Sequence, residues 1–365
     1  MKKILYISFI LISIISFLFS LTKIINSIAP DFSVFYYGAK DLILGSNPYQ
    51  NDKLFTGINY PPLTLLFYMP LTLLSYNFAQ FIWLMITLIC LLGSIFLSLK
   101  ILKIKITIKY FLLVLSLSVL AFPIKFTFGM GQSNILALFL LLLSFYNWKK
   151  DKNIIGGIML GICISIKPIL GFFLLFFVIY KAKKLIIISL LTLSFFIMIS
   201  IVYRGIDLYQ YYIWQIIPPL LNPGGREVYY NQGLMAFISR HVLIPTIRIS
   251  LNFFASLLLI TISLIGIYKN NKSNIAFAIF FPMVLLLDTL SWQHHFVWLL
   301  FPFIIIYNYI IKMQNNSLKY ILLFAYILVA INFKQPTFFW SHVFLGTIII
   351  WILNIYLLKR SDDPT

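Results

Sequence analysis

The chain has 365 residues, of which 61% are hydrophobic and only 10% are charged. Soluble domains use about 25% charged residues, so this composition excludes an ordinary soluble globular protein and places the chain in a lipid bilayer. The net charge of +19 does not indicate a nucleic-acid partner, because the lysines and arginines form short clusters between apolar segments and no single basic surface.

Several apolar segments approach the ~20 residues that a helix needs to cross the hydrocarbon core. They lack the alternating pattern of transmembrane β-strands, so we expect helices. The sequence therefore predicts an all-α polytopic membrane protein, a single domain over residues 1–365 with about 12 helices. The expected helices cover residues 4–25, 78–99, 108–122, 134–148, 154–167, 168–180, 185–203, 249–268, 275–290, 296–311, 319–333 and 342–358.

The basic clusters between these helices define a topology. Positive residues collect on the cytoplasmic side of membrane proteins. This rule places both termini in the cytoplasm and makes residues 4–25 an uncleaved first helix. We therefore expect a multi-pass plasma-membrane protein in which the polar segments 26–60 and 204–248 form loops on the outer face.

The segment 61–75 does not fit this alternation. It is apolar but contains Pro61, Pro62 and Pro70, and it is too short to span the bilayer. We expect a re-entrant or interfacial piece. Most of the nine acidic residues map to the outer side, which indicates that this face carries the function; they are Asp31, Asp41, Asp52, Asp207, Glu227 and Asp288.

Asp31 is the strongest catalytic candidate. It follows the first helix and begins an aromatic-rich segment, residues 32–37, which would bind at the level of the lipid headgroups. A partly desolvated carboxylate has a raised pKa, which suits a general base that takes a proton from a hydroxyl group. The alternative is structural, because Asp is also a favoured helix N-cap.

A glycine-rich polar loop, residues 128–134, follows at the outer end of a helix pair. Gln132 and Asn134 are candidates for hydrogen bonds to sugar hydroxyls or a phosphate, and the glycines permit a close approach of the backbone. Simple helix capping by Ser133 or Asn134 explains the same pattern equally well.

Three cations are candidates for an anionic phosphate. Lys167, before Pro168, interrupts an apolar hairpin on the outer side, and a cation inside a membrane indicates a functional site. The alternative for Lys167 is that its side chain snorkels to the headgroups.

Arg226 and Arg240 lie in the second outer loop, where an arginine can bind phosphate through two hydrogen bonds. A surface salt bridge is the alternative for Arg226. The same loop carries Asn231 and Gln232.

His294 and His295 follow Asp288 at the outer end of a predicted helix. Adjacent side chains point in different directions and no third ligand has suitable spacing, so a divalent metal is possible but not indicated. A proton relay or a phosphate contact fits one of these histidines better. The sequence has no Walker loop and no dinucleotide-binding motif, which counts against a nucleotide-sugar donor or an ATP-driven pump, and it indicates no particular cofactor.

Short motifs occur in a fixed order between about residues 31 and 300. They are Asp31 with Tyr36-Tyr37, Gly-Ser-Asn-Pro-Tyr at 45–49, Tyr-Pro-Pro at 60–62, Gly-Gln-Ser-Asn at 131–134, Lys167-Pro168, Asn231-Gln232, and Trp-Gln-His-His at 292–295. Together they resemble glycosyltransferase family 87, the polyprenol-phosphate-mannose-dependent transferases of the GT-C superfamily. The family pattern often has an acidic residue where this chain has Gln293.

The resemblance implies a GT-C transmembrane helix bundle and an inverting transfer of a hexose from a polyprenyl-phosphate donor to a glycan or glycolipid acceptor. Mannose is the first candidate for this hexose. It implies Asp31 as the base and Lys167, His294 and His295 as candidates for the lipid phosphate and the acceptor. A transporter, a flippase or a ligase for lipid-linked glycans remains the alternative, although transporters usually show inverted repeats, which this sequence lacks.

Overall fold

A computed structural model describes residues 2–51, 56–221, 225–268, 273–335 and 337–360. Asp52 in the first predicted outer loop, and residues 222–224 in the second, lie outside the described residues. The α-helices are α1 (Lys2–Ile25), α2 (Pro30–Leu44), α3 (Pro62–Leu66), α4 (Tyr76–Ile101), α5 (Ile108–Leu120), α6 (Phe122–Met130), α7 (Asn134–Trp148), α8 (Asn153–Ile166), α9 (Phe173–Ile179), α10 (Lys183–Arg204), α11 (Asp207–Tyr211), α12 (Ile217–Leu221), α13 (Leu234–His241), α14 (Pro245–Tyr268), α15 (Ser273–Leu287), α16 (Leu300–Lys312), α17 (Asn316–Ala330) and α18 (His342–Lys359).

Short 3₁₀ or π segments extend several of these helices. They are Pro48–Gln50, Met69–Leu73, Pro168–Phe172, Tyr212–Ile216, Gln293–Leu299 and Thr337–Ser341. Within the described ranges no strand forms, apart from one isolated antiparallel bridge between Asn231 and Trp292.

Six of the described helical segments are long and apolar enough to cross a membrane: Ile4–Ile25, Tyr76–Ile101, Lys183–Arg204, Pro245–Tyr268, Gln293–Lys312 and Phe339–Lys359. A seventh span is formed if α5 and α6, which meet at a 68° bend, are one broken helix. Shorter apolar helices account for the remaining predicted segments: Asn134–Trp148, Asn153–Ile166, Pro168–Ile179, Ser273–Leu287 and Asn316–Ala330. The predicted all-α polytopic membrane protein is confirmed.

The chain divides into two compact units. Unit 1 contains residues 1–97 and 125–222, and unit 2 contains residues 98–124 and 223–365. The single domain over residues 1–365 stays a prediction.

Unit 1 is built around α2, which lies against α3 and the 3₁₀ turn Met69–Leu73. Aromatic rings fill this contact: Phe35 stacks on Tyr68 at 4.6 Å between ring centroids, and Phe32 stacks on Trp83 at 5.9 Å. The proline-rich segment 61–75 therefore folds as two short helical pieces and not as a span. Its re-entrant or interfacial placement stays a prediction.

Glycines bring α8 close to α10 in unit 1. A Cβ atom at Gly157 or Gly161 would lie only 2.7 Å from the carbonyl oxygen of Leu185 or Ser189, respectively. Small residues allow helix backbones in a membrane to approach in this way. The close packing fixes the end of α8, where Lys167 is located.

Unit 2 has α15 as its central helix. From Ile275 to Leu286 every residue of α15 is buried, although Pro282 interrupts its hydrogen-bond pattern. The helix ends at Leu287, before the predicted end at residue 290, and the chain then turns into the 3₁₀ segment Gln293–Leu299. This turn brings the histidine motif into the interior of the unit.

Candidate active site

Asp31 is located in the first turn of α2, directly after Pro30. The N-cap of α2 is Ala29, whose backbone N–H donates to Oε1 of Gln80 at 2.9 Å. The alternative role of Asp31 as an N-cap is therefore wrong. Its position remains favourable for a negative charge, because the N-terminus of a helix carries a partial positive charge.

The glycine-rich loop holds Gln132 against Asp31. Nε2 of Gln132 donates to Oδ2 of Asp31 at 2.8 Å. Gly131 makes this contact possible, since it has a positive φ of 68° and a Cβ atom there would lie 2.5 Å from Cβ of Phe32. Nε1 of Trp83 also donates to the Gly131 carbonyl oxygen at 2.8 Å. The backbone of the glycine-rich loop thus makes its predicted close approach, and the element that it approaches is α2.

Lys167 continues this network on the other side of Gln132. Its Nζ donates to Oε1 of Gln132 at 3.1 Å and to the hydroxyl of Tyr60, and it lies 4.7 Å from the centroid of the Tyr60 ring. The side chain is only 1% exposed. Lys167 therefore does not snorkel to the headgroups, and that alternative is wrong.

The turn at residues 45–49 orients the tyrosine that Lys167 contacts. The hydroxyl of Tyr49 donates to the carbonyl oxygen of Tyr60 at 2.8 Å. Gly45 ends α2 in a left-handed conformation, and the Asn47 side chain accepts from the backbone N–H of Tyr49. The turn at residues 45–49 thus positions Tyr60.

Burial dominates the electrostatics of Asp31. Removal from solvent raises the pKa of its carboxyl, while the hydrogen bond from Gln132 and the charge of Lys167 act in the opposite direction. A carboxylate with a raised pKa is a stronger base than one in water. The expected placement of residues 32–37 at the lipid headgroups is wrong for Phe32, Phe35 and Tyr36, which are buried in the core of unit 1, so the protein interior and not the lipid desolvates Asp31.

The remaining polar residues of the glycine-rich loop are also buried. Ser133 occupies the N-cap position of α7, but its side chain makes no capping hydrogen bond, and Asn134 is the first residue of that helix. Capping by these side chains is therefore wrong as an explanation of the loop. A role of Asn134 in binding substrate stays a prediction.

Unit 2 contains a second polar cluster, formed by Arg226, Asp288 and the histidine motif. Arg226 is buried, so a surface salt bridge does not explain its presence. Burial lowers the pKa of Arg226, and the negative charge of Asp288 acts in the opposite direction. Nδ1 of His295 lies 3.4 Å from Oδ2 of Asp288, and its ring stacks on Trp298. The ring of His294 meets that of His295 edge-on.

This cluster does not have the composition of a metal centre in the part of the chain that the structure describes. There, no group of three histidine, cysteine or acidic side chains is close enough to hold an ion. The arrangement is that of a carboxylate that orients an imidazole, which is how proteins fix the tautomer and position of a histidine that transfers a proton.

The other predicted residues of the second loop bind the protein backbone. Asn231 Nδ2 donates to the carbonyl of Thr289 at 2.9 Å, and Gln232 Nε2 donates to that of Tyr229 at 2.7 Å. Arg240 donates to the carbonyl of Asn231 at 2.9 Å, and burial lowers its pKa to about 10. These contacts fix the loop against the histidine motif. Binding of substrate by these three side chains stays a prediction.

The sequence pattern of glycosyltransferase family 87 matches residues 58–287 of this chain. The match includes Gln132, Lys167 and the polar segment 204–248, whereas Asp31 precedes it and the histidine motif follows it. No curated protein matches the chain. Because the matched segment covers more than half of the sequence, this protein belongs to glycosyltransferase family 87 and is a membrane glycosyltransferase.

Proposed function

We propose that this protein transfers a hexose, with mannose as the first candidate, from a polyprenyl-phosphate donor to a glycan or glycolipid acceptor on the non-cytoplasmic face of the plasma membrane. Asp31 is the general base. The observation that carries this proposal is the half-buried Asp31 carboxylate, joined through the Gln132 amide to the buried cation Lys167.

The chemistry is a single displacement with inversion. Asp31 removes the proton of the acceptor hydroxyl while the oxygen of that hydroxyl forms a bond to the anomeric carbon of the donor sugar. At the same time the bond from that carbon to the phosphate oxygen breaks. The polyprenyl phosphate leaves with the electron pair. Inversion follows because the hydroxyl enters opposite the leaving group.

The cations have separate roles in this proposal. Lys167 supplies positive charge beside the site of proton transfer and is the candidate in unit 1 for the departing phosphate. Arg226, Arg240, His294 and His295 are candidates for the phosphate or the acceptor, to be tested one at a time. No metal or other cofactor is required.

Replacement of Asp31 by Asn tests the base. Asn keeps an oxygen that accepts from Gln132, so the fold is retained, but general base catalysis is lost, and we expect transfer to fall by at least ~100-fold. The matched control is Asp207→Asn, which changes an exposed carboxyl in the first turn of α11. Transfer is measured in detergent with the purified protein, where transport cannot contribute. An active Asp31→Asn enzyme would refute the role.

A panel of polyprenyl-phosphate sugars tests the donor. Mannose should be transferred fastest, and transfer of a whole glycan from a pyrophosphate lipid would instead indicate a ligase. The product should have the anomeric configuration opposite to that of the donor, which nuclear magnetic resonance of the isolated glycoside measures. Retention would refute the single displacement.

Cysteine labelling tests the topology. The two native cysteines, Cys90 and Cys163, are buried, so an introduced cysteine can be followed alone. With a membrane-impermeant maleimide on intact cells, Ser46→Cys should be labelled and Lys150→Cys only after permeabilisation, since both positions are exposed in the structure. The reverse pattern would place Asp31 on the cytoplasmic side.

A further inference from the structure

Unit 2 contains an apolar groove that the proposed transferase mechanism does not use. The groove, of about 460 Å³, runs between α5, α17 and the chain from Phe296 to Tyr307. Its walls are almost entirely aliphatic and aromatic, and several of them, such as Leu117 and Leu323, are exposed. A side chain that is exposed on a membrane span faces lipid.

The groove has a defined length and direction. Along α5 it extends from Tyr110 to Ala121, and along α17 from Lys319 to Ala330. At 1.5 Å per residue each wall is on the order of 16 Å long. This length matches half of the ~30 Å hydrocarbon core of a bilayer, which is one leaflet.

The two ends of the groove differ in charge. One end is lined by Lys319 and by Tyr110 and Tyr307, and Lys319 is held in place by a 2.9 Å hydrogen bond to Oδ1 of Asn316. The N-termini of α5 and α17 are both at this end, and each adds partial positive charge. The helices α5, α16 and α17 contain no acidic residue that would oppose an anion.

A hydrogen bond connects two walls of the groove. The hydroxyl of Tyr326 on α17 donates to the carbonyl oxygen of Leu117 on α5 at 2.7 Å, and both residues line the groove. In hydrocarbon no water can replace this bond, so it keeps the two walls at a fixed separation.

We propose that this groove binds an anionic phospholipid, with an acyl chain along the apolar walls and the phosphate at Lys319. The occupant belongs to the leaflet on the side of the basic clusters. Each wall is as long as one leaflet is thick, which matches the acyl chain of a phospholipid. The proposal does not depend on the transferase mechanism.

Native mass spectrometry of the full-length protein in detergent tests the site. Phosphatidylglycerol should be retained and should raise the melting temperature, whereas phosphatidylcholine should do so less. Lys319→Gln should weaken phosphatidylglycerol binding roughly fivefold, the effect of one cation at an anionic lipid. The matched control is Lys183→Gln, an exposed lysine at the start of α10 in unit 1, which should change nothing.

A second variant separates the groove from the surface charge. Ala121→Phe fills the apolar end and should prevent retention of the lipid without affecting Lys319. Equal binding of the two phospholipids, equal effects of the two lysine variants, or full retention of lipid by a folded Ala121→Phe protein would overturn the proposal. Displacement of phosphatidylglycerol by a polyprenyl phosphate at equal concentration would also overturn it.

Discussion

Replacement of Gly131 by Ala tests the geometry that brings Gln132 to Asp31. Gly131 has a φ of 68°, and its missing Cβ would lie 2.5 Å from Cβ of Phe32 and 3.0 Å from Cβ of Ala29. Neither neighbour is the free end of a flexible side chain, because both Cβ atoms are attached directly to the backbone at the start of α2. The added methyl group therefore forces α2 and the loop apart.

The two costs of this substitution are separate. A left-handed conformation costs a residue with a side chain about 1–2 kcal/mol. Overpacking in a filled interior costs about 1–3 kcal/mol. Gly131→Ala should thus destabilise the protein by about 2–5 kcal/mol and displace Gln132 from Asp31. A displacement of about 1 Å at a catalytic site can lower the rate 100-fold.

Gly129 provides the matched control two residues earlier. It is helical, and a Cβ atom there would meet nothing within 4 Å. Since Ala is preferred over Gly in a helix by about 0.5–1 kcal/mol, Gly129→Ala should be neutral or stabilising. Melting temperature and transfer rate are measured for both variants in the same detergent. Equal stability of the two proteins would refute the reasoning, as would full transfer activity of Gly131→Ala.

Two further predictions concern the polar clusters. Lys167→Met removes a positive charge that lowers the pKa of Asp31, so that pKa should rise. The acid limb of the pH profile of kcat/KM should therefore move to higher pH. The control Tyr60→Phe keeps the charge of Lys167 and should move this limb less. An unmoved limb in Lys167→Met would contradict the charge coupling. Asp288→Asn should lower transfer and leave insertion intact, because it removes the charge 3.4 Å from His295; full activity would show that the pair is structural only.

The sequence predicted the membrane helices well because their signal is local. An uninterrupted apolar segment can satisfy its backbone in lipid only as a helix, so α1, α4, α10 and α14 were expected close to their observed bounds. The end of α15 was predicted three residues late. Asp288 follows Leu287 directly, and its Oδ1 accepts from the backbone N–H of Leu290 at 3.1 Å, a local turn that competes with continuation of the helix.

The site was only partly predictable. Asp31, Gln132 and Lys167 were identified as separate candidates, but their hydrogen bonds connect residues 101 and 35 positions apart along the chain, and no local pattern reveals such contacts. Tyr60 is not among the candidate site residues that the sequence indicates, although the structure places it against Lys167. The available signal was its position before two prolines, next to a segment too short to span the membrane.

The burial of Asp31 explains why its replacement should not harm the fold. A carboxyl whose pKa is raised in the native state favours folding when it is neutral, at low pH, and this contribution is lost as the pH rises through the native pKa. At neutral pH the ionised Asp31 therefore costs stability, even with Gln132 and Lys167 beside it. Asp31→Asn should melt at or above the wild-type temperature at neutral pH, and this difference should shrink in acid. A residue kept for structure would show the opposite sign, so the pH dependence of stability separates a retained base from a structural carboxylate.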